Sequence, residues 1–187
     1  MGLFDSLKNQ AKGAVRNAVQ SMGNKTEDIV FPTVPDSFAG FTVLPQAAMA
    51  TPFQTTAMTV VALCVYPHSP DTSIQMLNFL RGPRPLNGQE ISFIRDRFRA
   101  KDYVPRSYFS GATPQNDYTP QQPYTIRVIA DHNSFLTQGM AKLFIPSGGA
   151  DSPRPIQLRE AKDGKWYLWE QFLLTDIRQP ESANPWA

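Results

Sequence analysis

The sequence predicts an α+β domain: an N-terminal amphipathic helix, about three further helices, then a mostly antiparallel sheet of about four strands. Two observations carry this. Apolar residues recur at helical spacing up to about residue 101, and from residue 102 the pattern changes to short alternating runs separated by turn residues. Helices grouped before strands joined by short turns point to an antiparallel sheet, not to a parallel sheet threaded by helices.

Within residues 1–23, Leu3, Phe4, Leu7, Ala11, Ala14, Val15, Ala18 and Met22 form one stripe at about 100° per residue, with Lys8, Lys12 and Arg16 along its flank. Residues 24–50 read as a proline-rich extended strap lying over the core, since Phe31, Val34 and Leu44 each precede a proline. The α+β domain proper is expected over 51–187. Its first helix starts at Thr51, with Pro52 in the first turn and Gln54 three residues after the cap, and stops before Pro67. A second begins at Ser69-Pro70-Asp71 and ends at Gly82. A third has Asn87 as cap and Glu90 at the capping-box position, with Arg95, Arg97, Arg99 and Lys101 on a solvated side. Residues 103–123 form a long loop dense in Pro, Gly, Asn and Tyr, a length that is functional or clamped by its own aromatics. Strands follow at 124–130, 141–145, 155–160 and 165–174, and Asp163-Gly164 marks the last hairpin.

Composition excludes several classes. The chain has 187 residues, 41% of them hydrophobic, enough to bury a core without disulfides. Its single cysteine, Cys64, lies in an apolar run and reads as a small buried hydrophobe. His68 and His132 stand apart, so no metal site and no cofactor is expected, and phosphate-loop, dinucleotide and serine-hydrolase motifs are missing. The longest apolar run, 57–66, falls short of the roughly 20 residues that span a bilayer. A continuous apolar secretory core is broken by charges, which places the protein in the cytoplasm.

Charge is segregated. Residues 1–20 hold three of the 18 Lys/Arg and one of the 16 Asp/Glu, leaving 15 of each sign in the remainder, so the whole net charge of +2 belongs to this stretch. A basic amphipathic helix docks on its own domain, on a second copy or on a partner, or lies on an anionic membrane at its inner face, with Leu3, Phe4 and Leu7 inserted and Lys8, Lys12 and Arg16 near the anions. Nucleic acid is disfavoured by the charge-balanced body.

Three strings resemble together a bacterial domain family of unknown function: Asp102-Tyr103-Val104-Pro105-Arg106-Ser107-Tyr108-Phe109, then Ser147-Gly148-Gly149-Ala150-Asp151-Ser152-Pro153-Arg154-Pro155, then Trp166-Tyr167-Leu168-Trp169-Glu170. The resemblance runs from about residue 30 to the C-terminus and implies no particular activity. The order of helices and a D-G-x-W hairpin also looks like the cone-shaped rolls of the nuclear transport factor type, a likeness of fold only.

The strings supply the candidate site. Arg106 and Arg154 sit beside proline and serine and present rigid forks to an anionic ligand or partner carboxylate, with internal ion pairs to Asp151 as the structural alternative. Trp166 and Trp169 point to opposite faces of a strand, one to the core and one to an aromatic cleft shared with Tyr103, Tyr108, Tyr118 or Tyr124. The leading expectation is a non-catalytic binding or interaction module that uses Arg106, Tyr108, Asp151, Arg154 and Trp169, associates through its N-terminal helix, and takes a protein partner or small ligand. The alternatives are a small roll-type lyase, isomerase or hydrolase with His132 and Asp151 as its acid/base pair, and a peripheral membrane protein.

Overall fold

A computed structural model describes residues 24–186. The predicted helix at 1–23, with Leu3, Phe4, Leu7, Lys8, Lys12 and Arg16, lies outside the described residues.

Local chemistry sets the three longer helices. A short helix, α1, spans Phe38–Thr42. Thr51 then leaves an extended segment with its hydroxyl accepting the Gln54 N–H, and Gln54 answers by accepting the Thr51 N–H, so that both orphan donors are met where Pro52 starts α2, Pro52–Val65. Twelve of the 14 residues of α2 are buried. A helix apolar all round belongs at the centre of a domain, and α2 touches all five strands described below. Its threonines are accommodated by bonding: Thr59 donates to the Thr55 carbonyl at 2.8 Å, and Thr55 to the Trp166 carbonyl at 2.5 Å. Helix α3, Pro70–Arg81, stops at Gly82, whose φ of +58° few other residues adopt. Helix α4, Gly88–Arg97, is capped by Asn87, which accepts from Gln89 and Glu90 N–H while Glu90 accepts the Asn87 N–H.

The sheet is an antiparallel meander in chain order: β1 Thr26–Phe31, β2 Tyr124–Ile129, β3 Met140–Ile145, β4 Arg154–Glu160 and β5 Trp166–Gln171. Ile126, Val128, Ala141, Leu143, Ile145, Ile156, Leu158, Trp166 and Leu168 alternate onto the helix-covered face and are buried. Arg127, Lys142 and Arg159 point the other way and are exposed.

Five strands replace the expected four. The extra one, β1, comes from the stretch read as a strap, which also supplies α1 and a turn of 3₁₀ helix at Pro45–Ala48. Its partner is β2, with Thr26 opposite Ile129 and Phe31 opposite Tyr124, and a pairing across about a hundred residues leaves no local signal. Strand β2 meets β3 at one paired position, Ile129 opposite Phe144. Where they part, the long loop enters: Phe109 bridges to Ile126, and Ser110 N–H donates to the Thr125 carbonyl at 2.8 Å.

Candidate functional site

At the end of the sheet where β3 finishes and β4 begins, three segments meet: the 103–118 loop, the 147–151 turn and the 173–178 tail that follows β5. Pro105 opens a 3₁₀ turn over Pro105–Tyr108. There the Ser107 carbonyl accepts the Gly148 N–H at 2.9 Å, and Ser147 Oγ donates to Ser107 Oγ at 2.8 Å. Three tyrosines tie the loop to the tail. Tyr108 donates to the Leu173 carbonyl at 2.6 Å, Tyr118 to that of Arg178 at 2.6 Å, and Tyr103, stacked on Tyr118 with ring centres 5.4 Å apart, to that of Ile177 at 3.4 Å. Burial raises the phenol pKa values, that of Tyr118 to about 12, so each hydroxyl keeps the proton it donates.

The glycine pair is required by close approach. A Cβ on Gly148 would stand 1.9 Å from the Ala112 carbonyl oxygen, and one on Gly149 would stand 2.0 Å from the Tyr118 hydroxyl. The Gly149 carbonyl accepts the Arg178 N–H at 2.9 Å, which joins turn to tail.

The predicted site residues are placed as follows. Arg154 spends its fork internally: Nε donates to the Thr175 carbonyl at 3.2 Å, Nη2 to that of Asp176 at 2.7 Å, and Nη1 to Ser152. Asp151 is exposed and hydrogen-bonded to the Arg178 guanidinium. Tyr108 is buried. Arg106 is half-buried and, among the described residues, has no carboxylate within 4.0 Å. His132 is exposed in the β2–β3 turn with Asn133 3.0 Å from its ring, while the Asp131 carboxylate accepts from Asn133 N–H and Ser134 Oγ. His132 and Asp151 occupy turns at opposite ends of β3, on the order of 17 Å apart for a six-residue strand. Among the described residues no hydrogen bond joins the two.

Residues 33–181 match the model of a family described as a domain of unknown function, DUF6935. The chain belongs to the DUF6935 family. The DUF6935 span begins after β1 and takes in all three segments of the clamp, so the Tyr103–Phe109 and Ser147–Pro155 strings that carried the resemblance are, in this member, the parts that join loop, turn and tail. No curated protein matches the chain, and no solved structure does; the roll-type likeness gains no support from that side.

Sequence reasoning missed a second cluster of the DUF6935 domain. Arg81, 5% exposed, donates to Glu90 at 2.8 Å, to the Arg84 carbonyl at 2.9 Å and to the Trp169 carbonyl at 3.3 Å. Desolvation lowers its pKa, with Glu90 opposing. The string Arg81-Gly82-Pro83-Arg84 reads locally as a helix end, and only the tertiary fold brings it to Trp169.

Among the described residues no group of three His, Cys, Asp or Glu is placed to hold a metal ion, and no helix is long and apolar enough to cross a membrane. Cys64 is half-buried, and desolvation pushes its thiol up to about 12 against the pull of Arg106. A raised pKa keeps the folded thiol protonated at pH 8. Ellman's reagent at that pH should label the native chain at least about a hundredfold more slowly than the urea-unfolded chain.

Proposed function

We propose that this chain is a non-catalytic interaction module: a rigid, charge-balanced body that presents a basic amphipathic segment for association with a second copy. The carrying observation is how the candidate chemistry is spent. Arg154, Tyr108 and Asp151 are committed to the chain's own carbonyls and to Arg178, and His132 stands at the far end of β3 from Asp151. Such a body supports a display role better than an acid/base reaction, which needs its groups within hydrogen-bond reach. The net charge of +2 resides in residues 1–20, where Leu3, Phe4 and Leu7 line the apolar stripe.

Sedimentation velocity of the full chain and of a Leu3→Glu, Phe4→Glu, Leu7→Glu variant tests the proposal. The unaltered chain is expected to sediment as a dimer or larger and the variant as a monomer, with the same far-UV spectrum in the folded body. Two monomers would sink self-association. If the unaltered chain then bound anionic vesicles and the variant did not, the segment's partner would be a lipid surface.

A further inference from the structure

We infer that Trp169, with Arg84 and Arg159, forms a docking site for an acidic, extended protein segment. This goes beyond the self-association proposed above and stands without it.

The site originates in a register shift. Strands β4 and β5 pair Gln157 with Glu170 and Leu158 with Leu168, which leaves Trp169 as an extra residue in β5. Such a bulge re-aims a side chain and interrupts the ladder. Here the Trp169 carbonyl is taken by Arg81, while the half-buried indole carries two guanidiniums: Arg84 at 4.3 Å and Arg159 at 4.9 Å from the ring centre. Arg84 comes from the α3–α4 connection and is held there by Arg81, which donates to its carbonyl. Arg159 comes from β4, opposite Tyr167 on one side and Met140 on the other.

A guanidinium stacked on an aromatic ring uses its face and leaves its in-plane N–H donors open. Among the described residues the Arg159 guanidinium donates no hydrogen bond and has no carboxylate within 4.0 Å. Arg84 has one long contact to the Trp169 carbonyl at 3.5 Å and lies 3.9 Å from Glu90, whose own commitments are to Arg81 and to the cap of α4. Lys142, exposed on the same face of the sheet, turns its ammonium to the Phe144 ring at 5.7 Å and is not part of the cluster, and Glu170 is the adjacent acid. Two like charges are thus held within 5 Å of one ring centre, with no short carboxylate contact to either among the described residues.

The chemistry that complements this is a pair of carboxylates with similar spacing. Alternate residues of an extended segment place side chains on one side about 7 Å apart, so acids at alternate positions address both forks. A nucleic-acid strand fits less well, because the indole already carries guanidiniums and offers no free platform for base stacking, and the cations form a cluster instead of a track.

The test uses the full-length chain and a fluorescein-labelled Glu-Thr-Glu-Thr-Glu peptide, read by anisotropy at low salt. Saturable binding is expected, with the Gln-Thr-Gln-Thr-Gln counterpart at least tenfold weaker. Arg159→Gln and Arg84→Gln should each weaken the glutamate peptide about tenfold. Lys162→Gln, which removes an exposed charge in the β4–β5 hairpin, should change it less than twofold. The inference is overturned if the two peptides bind alike or not at all, if Lys162→Gln weakens binding as much as Arg159→Gln, or if a thymidine dodecamer outcompetes the glutamate peptide at this site.

Discussion

Gly148→Ala should destabilise the fold by about 3 kcal/mol, at the upper end of what overpacking usually costs. The added methyl group meets the Ala112 carbonyl oxygen at 1.9 Å and the Thr113 Cα at 3.3 Å, and both are backbone. A flexible side-chain tip would swing aside. A carbonyl locked between Phe109 and Pro114 moves only if the long loop moves with it, which strains the Gly148 N–H bond to Ser107 and the tyrosine bonds beyond it. For a chain of this size about 3 kcal/mol lowers the melting temperature by roughly 6–12 °C. Gly88→Ala is the matched control. A Cβ there has no atom within 4 Å and the position begins α4, so stability should hold or rise by up to about 1 kcal/mol. Thermal unfolding followed by circular dichroism separates the two; equal melting temperatures would show that the turn yields and that close approach is not what selects glycine at 148.

Glu90→Ala has the second large effect, about 3 kcal/mol, because it strands a buried cation and removes half of a helix cap at once. Arg81 has 4% of its side chain exposed, and Glu90 is the carboxylate within 4.0 Å of it. Two carbonyls would still accept from Arg81, but neither carries a full charge. Glu90→Gln keeps one of the two acceptor oxygens, enough for Asn87 N–H or for Arg81 but not for both, so it should lose less, about 1–2 kcal/mol. Urea unfolding monitored by tryptophan fluorescence gives both values, and a Glu90→Ala midpoint no lower than that of Glu90→Gln would mean that the lost charge on Arg81's partner, not the lost cap oxygen, accounts for the whole effect.

What the sequence made legible was local. Thr51 with Gln54, and Asn87 with Glu90, announced two helix starts through side chains that reach three residues along the chain, and both capping boxes are formed. Asp163-Gly164 announced the last hairpin for the same reason. Strand β1 escaped because its partner lies about a hundred residues away and because Lys25-Thr26-Glu27-Asp28 is too polar to read as half of a sheet edge. The candidate site was legible as a set of unusual residues, but their use was not. Arginine beside proline suggested a fork aimed outward, whereas Arg154 turns to carbonyls of Thr175 and Asp176, more than twenty residues downstream. Trp169 was marked as the aromatic of interest without any sign of its arginines, because a bulge and an α3–α4 connection had to converge before Arg84 and Arg159 reached it.

The order in which these parts leave the ribosome follows from the clamp at the end of β3. Helix α2, apolar on every side, follows β1 but precedes the other four strands that cover it, which begin at residue 124, and the bonds that close the loop reach to Arg178. The nascent chain therefore carries its most hydrophobic helix while four of its five covering strands are still to be made, a state that invites chaperones and aggregation alike. The segment Leu173–Arg178 acts as a latch: a chain cut short before it would carry α1–α4 and β1–β5 and still lack the carbonyls that Tyr103, Tyr108, Tyr118 and Arg154 are built to find.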